Sequence, residues 1–280
     1  MKIIEETKEL SKWLAKADKS VKKLGFVPTM GALHEGHMSL IERSVEECDY
    51  TVSSIFINPL QFNSKQDFEK YPVDLESDRK MLKKAGCDLL FMPDTHNFYE
   101  KKPITSFSFG EIENILEGQF RPGHFNGVGI VLSRLFNLVE PDFAYFGEKD
   151  LQQLYLIKQL VKDLAFRVQI IGCETKRELS GLALSSRNRR LDDKALNLAP
   201  QLYQLLNNLK KGVLQGRDYN DLKKSELISL DSAFDVEYLE MVKLPEFNIV
   251  NQTESGIDYA ICVAAELSGI RLIDNIQFKF

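Results

Sequence analysis

His34 and His37 close the motif Pro28-Thr29-Met30-Gly31-Ala32-Leu33-His34-Glu35-Gly36-His37. On a helix that spacing places two side chains on one face. The apolar run 24–27 precedes the motif and Pro28-Thr29 ends it, so residues 25–37 read as a strand, a tight loop and a first helical turn. Free backbone N–H groups and the dipole at a helix start favour an anion. Two imidazoles aimed into such a corner point to phosphate chemistry. Zinc is the weaker reading: His-x-x-His is not the His-Glu-x-x-His spacing of zinc proteases, and Gly36 loosens the helix between the two rings.

Two further stretches suit attack on a nucleoside triphosphate. Gly147-Glu148-Lys149-Asp150 follows the short apolar run 143–146 and opens a helical pattern over 151–164, repeating the strand, glycine turn and polar helix start of the first motif. Residues 176–188, KRELSGLALSSRN, combine hydroxyls, a glycine and several basic groups with little periodicity, and read as a substrate-covering loop and hinge. Lys149 or Arg187 could neutralise charge on a transferring phosphorus and on departing pyrophosphate, while Asp150 could hold the nucleotide or its metal. Taken singly, each stretch has a plainer reading. GEKD is an ordinary charged helix start, SSRN a capping loop, and Gln61 and Gln153 solvent-facing amides. His124 orders its glycine-rich loop, and His96 beside Asp94 sits at the surface. The signal lies in the combination.

The elements that must position these residues alternate. Apolar groups at 38, 40, 41 and 45 predict a helix, and residues 51–57 a buried strand running into Asn58-Pro59-Leu60-Gln61, which completes a βαβ unit. Residues 67–84 read as helical with a break near Pro72, 88–92 and 103–109 as strands, and 111–117 as a short helix. Gly118, Gly123, Gly127 and Gly129 suggest a loop before a helix over 128–139, and residues 167–173 a last strand. This pattern predicts an α/β fold with a Rossmann-like doubly wound parallel sheet over residues 1–175, whose ligands gather at the carboxyl ends of the strands. Residues 176–280, with helices at 192–211 and 218–230 and strands at 235–243, 259–265 and 270–275, predict a second, smaller α+β C-terminal domain covering the active site.

The composition is that of a globular chain of 280 residues, 44% hydrophobic and 28% charged. A formal charge of −5 argues against a general nucleic-acid binder. Residues 1–16 carry acids and lysines among apolar positions at helical spacing, which predicts an amphipathic helix and not a signal peptide. The four cysteines are scattered without a C-x-x-C pair, fitting reduced thiols in a cytoplasmic protein.

The stretches FVPTMGALHEGHMSLI, SIFINPLQF, EGQFRPGHFNGVGIVLSRLFN, PDFAYFGEKDLQQL, GLALSSRN and RLIDN span almost the whole chain. In that order they resemble the pantoate–β-alanine ligase family, whose His-x-x-His signature belongs to the nucleotidyltransferase superfamily. The resemblance implies ATP-dependent condensation in two steps: pantoate's carboxylate attacks the α-phosphate of ATP, and β-alanine's amine then attacks the pantoyl adenylate. It implies that Met30, Gly31, Ala32, Leu33, His34, Glu35, Gly36 and His37 line the ATP site, with His34 and His37 on the phosphates and His37 as proton donor. Gly147, Glu148, Lys149 and Asp150 would contact the nucleotide, Lys149 at the phosphates, and Lys176 the adenine. Leu184, Ser185, Ser186 and Arg187 would close over the triphosphate. Gln61 and Gln153 would bind pantoate, with Gln61 near β-alanine. Mg2+ is expected with ATP, the partners are small-molecule substrates rather than nucleic acid or membrane, and a homodimer is implied. The family commonly has a small apolar residue at position 176 and an acid at position 180, where this chain has Lys176 and Ser180. An AMP transferase of the same superfamily and a non-catalytic RNA-binding relative are the competing readings; the second needs a basic surface.

Overall fold

The computed structural model describes residues 1–16 and 22–280, which divide into two compact units. The first comprises Met1–Gly110, Arg121–Glu148 and Gln153–Glu174; the second comprises Glu111–Phe120, Lys149–Gln152 and Thr175–Phe280.

In the first unit, β1 (Lys2–Ile4) precedes α1 (Thr7–Leu14), so the expected single opening helix is split. Ile4 pairs with Phe91 and is buried, and the amide of Lys2 donates to the Asp88 carbonyl (2.7 Å). A sheet edge thus recruits a β-branched pair that helical periodicity alone assigns to α1. Next come β2 (Leu24–Thr29), α2 (Glu35–Glu47), β3 (Tyr50–Ile55), a 3-10 turn at Pro59–Gln61, α3 (Lys65–Glu69), α4 (Leu75–Lys84), β4 (Leu89–Phe91) and α5 (Thr95–Tyr99). A 3-10 turn at Gly110–Asn114 and α6 (Leu116–Phe120), which from Glu111 on belong to the second unit, lead to α7 (His124–Val139) and β5 (Phe143–Gly147); a 3-10 turn at Glu148–Asp150 and α8 (Leu151–Asp163), of which residues 149–152 belong to the second unit, precede β6 (Gln169–Cys173).

The six strands form a parallel sheet in the order β1-β4-β3-β2-β5-β6. β3 and β4 follow β2 to one side and β5 and β6 extend the other, so the topological switch point lies between β2 and β5, where open α/β sheets bind ligands. Val27, Leu33, Ile41, Leu82, Leu90 and Tyr145 are among the side chains filling the core on one face of this sheet.

Two expectations fail here. Residues 103–109 form no strand: the amide of Phe107 donates to the Asn126 side chain (2.8 Å), and the Phe107 and Phe109 rings pack on α7 at Gly129. The aromatic alternation reflects contact with a helix, not a ladder. Gly127 and Gly129 are helical rather than part of a loop, because α7 starts at His124. A Cβ at residue 127 would stand 2.3 Å from the Leu60 carbonyl oxygen, so only glycine lets α7 approach the turn that carries Gln61.

The second unit continues with a 3-10 turn at Ser186–Arg190, α9 (Asp193–Leu198), α10 (Gln201–Leu214), α11 (Tyr219–Ser229), β7 (Phe234–Lys243), β8 (Asn248–Ile249), β9 (Asp258–Leu267) and β10 (Ile270–Lys279). The helix expected over 192–211 divides at Pro200 into α9 and α10. Its antiparallel sheet runs β10-β9-β7-β8. Leu202, Leu205, Leu206, Leu209 and Val213 form one stripe of α10 and pack with Leu239, Ile261 and Val263 of the sheet. Burying each such side chain is worth about 1.5–3 kcal/mol.

Candidate active site

The loop after β2 is built by three acceptor groups. Thr29 Oγ1 donates to the Ser54 carbonyl (2.8 Å) and accepts from the Gly31 amide (3.2 Å). Gly31 and Ala32 both have positive φ, 79° and 50°. Asp78 of α4, fully buried, accepts from the amides of Ala32 (2.9 Å) and Leu33 (2.7 Å) through its two oxygens. A non-glycine residue in the left-handed region costs about 1–2 kcal/mol, and these two charge-assisted hydrogen bonds offset it. Asp78 is a site-building residue that motif reading misses. Its signal is an acid in phase with Leu75 and Leu82 on the apolar stripe of α4.

The loop delivers His34 to the N-cap of α2 and His37 to its third helical position. His34 Nδ1 accepts from the Gly36 amide (3.1 Å), and His37 Nδ1 accepts from the His34 amide (3.3 Å). The rings lie 4.0 Å apart between centroids. Because both Nδ1 atoms accept, each neutral ring carries its proton on Nε2. Both rings thus cap the start of a 13-residue helix through Nδ1. Met30 and His34 to His37 line the exit of β2, with Glu35 exposed and the others half-buried; Gly31, Ala32 and Leu33 are buried beneath them.

Gln61 leaves the carboxyl end of β3, next to β2 in the sheet. Its Nε2 donates to Met30 Sδ (2.8 Å) and its Oε1 accepts from Asn58 Nδ2 (3.1 Å). Asn58, buried, also donates to the Gly127 carbonyl (3.0 Å) and accepts from Tyr99 Oη (2.8 Å). His124 is not in a loop but opens α7. Its Nδ1 lies 2.8 Å from the Gln61 carbonyl and its Nε2 3.2 Å from Arg121 Nη1. A carbonyl only accepts and a guanidinium only donates, so His124 is the Nδ1–H tautomer. The structure thus joins Gln61 to Met30 and adds Asn58 and His124 as its supports. His96 is exposed on α5, which Asp94 caps.

Gly147 ends β5 and Glu148 follows it, both half-buried; Gln153, also half-buried, stands on the first turn of α8. Lys149 and Asp150 belong to the second unit, where Lys149 Nζ lies 3.5 Å from Asp150 Oδ2. Residues 176–184 form a hairpin there: the Leu184 amide donates to the Lys176 carbonyl (2.9 Å), and Arg177 bridges to Ala183. The Lys176 side chain is exposed, so its carbonyl makes the observed contact. Ser185 Oγ caps the following turn by accepting from the Arg187 amide (3.3 Å), with Ser186 buried and Leu184 and Arg187 half-buried. The sequence-derived residues thus fall into two sets, one in each unit.

An open α/β sheet with a histidine-capped helix start at its switch point has the architecture in which such sheets bind ligands, and helix starts favour anionic ones. The model of the pantoate–β-alanine ligase family matches residues 2–277. Over 277 residues the chain is 44% identical to the pantothenate synthetase of Cytophaga hutchinsonii, with 98% of each covered, and it is 43% identical to that of Caldicellulosiruptor bescii, covering 98% of this chain and 96% of the relative. The crystal structure of pantothenate synthetase from Thermus thermophilus superposes with a TM-score of 0.91 at 39% identity, covering 99% of both chains. Pantoate–β-alanine ligase from Francisella tularensis, crystallised with beta-gamma ATP and β-alanine, gives 0.82 at 36% identity over 99% of this chain and 97% of that one. The chain belongs to the pantoate–β-alanine ligase family and is a ligase.

Proposed function

We propose that the chain condenses (R)-pantoate with β-alanine to pantothenate with cleavage of ATP, through a pantoyl adenylate, releasing AMP and pyrophosphate. The observation that carries this reading is the pair of capping imidazoles: Nδ1 of each ring accepts from a backbone amide, which fixes both rings at a helix start with the proton of each neutral ring on Nε2. A free carboxylate is a poor electrophile, and adenylation gives it a leaving group. The charge that grows on the α-phosphate as the carboxylate attacks is what such donors stabilise. The complex of the Francisella tularensis relative with beta-gamma ATP and β-alanine supports both substrates.

In this reading Met30 to His37 hold ATP, with His34 and His37 on the phosphates, and Gly147, Glu148 and Asp150 contact the nucleotide. Lys149 and Arg187 neutralise charge on the departing pyrophosphate and Ser185 and Ser186 stabilise it by hydrogen bonding, while Leu184 and the Lys176 backbone contact the remainder of ATP. Gln61 and Gln153 hold pantoate through their amides. Mg2+ enters with the nucleotide: it is bound mostly through substrate phosphates and water, and among the described residues no group of three or more His, Cys, Asp or Glu is arranged to hold a metal. A homodimer and a cytoplasmic location belong to the same proposal; four free thiols fit a reducing compartment. No helix among the described residues is long and apolar enough to cross a membrane.

The test is a product assay with ATP, pantoate and β-alanine. AMP and pyrophosphate are expected, with pantothenate only when the amine is present. Pantoate-dependent exchange of labelled pyrophosphate into ATP, without β-alanine, is the expected sign of the adenylate. ADP and phosphate as products, or indifference to pantoate, would refute the reading.

A further inference from the structure

Arg271-Leu272-Ile273-Asp274-Asn275 is one of the stretches that carry the family resemblance, yet no step of the proposed reaction uses it. It occupies the first half of β10. Side chains alternate along a strand, so Arg271 and Asn275 share one face and Asp274 takes the other.

On the first face, Asn275 Nδ2 donates to the Lys149 carbonyl (3.0 Å). Arg271 grips Glu117 in a bidentate pair (2.7 and 2.9 Å). Burial disfavours the charge on Arg271, but its hydrogen bonds to Glu117 and Glu237 outweigh that and raise its pKa. The Glu117 amide in turn donates to Gln152 Oε1 (3.0 Å), and Gln152 Nε2 donates to the carbonyls of Ile112 (2.6 Å) and Ile115 (3.0 Å). Residues 149–152 are thus tied at both ends to groups that β10 holds. On the second face, Asp274 accepts a bidentate pair from Arg177 (2.6 and 2.9 Å). The Arg177 guanidinium lies 3.7 Å from the Tyr203 ring centroid and donates to the Gly181 carbonyl (3.1 Å), closing the hairpin that leads to residues 184–187. Asp274 and Asn275 are each 6% exposed.

We infer that Asp274 and Asn275 are positioning residues for the pyrophosphate-binding groups: Asn275 sets Lys149 through its carbonyl, and Asp274 sets residues 184–187 through Arg177. The inference rests on the proposed ligase reaction. A lysine ammonium on a four-carbon stem is a mobile point charge, so the position of its backbone decides where it can act. A bidentate arginine-carboxylate pair fixes orientation as well as distance. One strand therefore sets the register of two cationic groups that lie far apart in sequence.

Asn275→Leu removes the donor while keeping the branched side-chain shape, and Arg177→Lys keeps the charge but loses the fork and the stacking. Each full-length variant is assayed for pantothenate with ATP, pantoate and β-alanine varied in turn, and its urea midpoint is measured in parallel. Pantothenate formation by the unmutated chain decides the ligase reading by itself; the ratio of variant to parent decides this inference. The expected result is a loss of about 10- to 100-fold in kcat/KM for ATP, with the KM for β-alanine unchanged. If Asn275→Leu does not fold, Arg177→Lys carries the test. Parental kcat/KM for ATP in a folded variant, or equal losses toward all three substrates, would overturn it.

Discussion

Replacing Asp78 by Asn separates the shape of the histidine loop from its chemistry. The substitution keeps the volume of a fully buried side chain but leaves one acceptor for two amides, those of Ala32 and Leu33 at 2.9 and 2.7 Å. The lost bond is to a charged acceptor, worth about 1.5–3 kcal/mol. The loop must still hold Ala32 at φ 50°, which costs about 1–2 kcal/mol. A loss of about 2–3 kcal/mol corresponds to about 30- to 150-fold in the population that presents His34 and His37 correctly. The assay is steady-state kcat/KM for ATP in pantothenate formation, alongside a urea titration. Activity should fall by up to that factor and the midpoint should drop. Adding Ala32→Gly relieves the left-handed strain at some cost in unfolded-chain entropy and should restore about 0.5–1 kcal/mol. An Asp78→Asn enzyme within about threefold of the parent, or no recovery from the added glycine, would refute the reasoning.

His37→Asn places an amide oxygen near the position of Nδ1, so the cap on the His34 amide survives while Nε2–H is lost; the urea midpoint should hold and turnover should fall by about 3 kcal/mol of transition-state stabilisation, read as kcat. Gly127→Ala drives a methyl to 2.3 Å from the Leu60 carbonyl oxygen, so the Gln61 turn must move; about 1–3 kcal/mol of stability should be lost, with a raised KM for pantoate as the accompanying sign. Tyr238 donates to Glu117 (2.7 Å), and burial first, then the Glu117 charge, raise its pKa well above the usual phenol value. Its stabilising contribution is whole below the unfolded value near 10 and is lost as pH rises toward the folded one. Urea midpoints should therefore fall on the alkaline side of about pH 10, and Tyr238→Phe should lower the midpoint at pH 7 while flattening that alkaline fall.

The parallel sheet was legible because β2, β3 and β5 are apolar runs ended by Pro28-Thr29, Asn58-Pro59 and Gly147, and their turns carry the chemistry-bearing residues. Where local pattern and tertiary pairing disagree, the pattern fails. Residues 2–4 join a sheet edge whose partner lies at 89–91, and residues 103–109 turn their alternation to the face of α7. The start of α7 was hidden because Gly127 and Gly129 serve close approach, which looks like a loop when the partner is unknown. His34 and His37 could be placed at a helix start from spacing, but not the tautomers their caps impose. Pairs such as Arg177 with Asp274 join residues too distant for any periodicity to connect.

The second unit is discontinuous, and that governs where the polypeptide can be cut. Severing it after Glu174 would give a fragment containing the antiparallel sheet but lacking Glu111–Phe120 and Lys149–Gln152. Arg271 would lose the Glu117 carboxylate, and Asn275 the Lys149 carbonyl. Arg271 would keep Glu237, but its bidentate anchor to residues 111–120 would be gone. The C-terminal portion is therefore not a transferable module, and a graft or split version of this ligase would have to carry its two short inserts along.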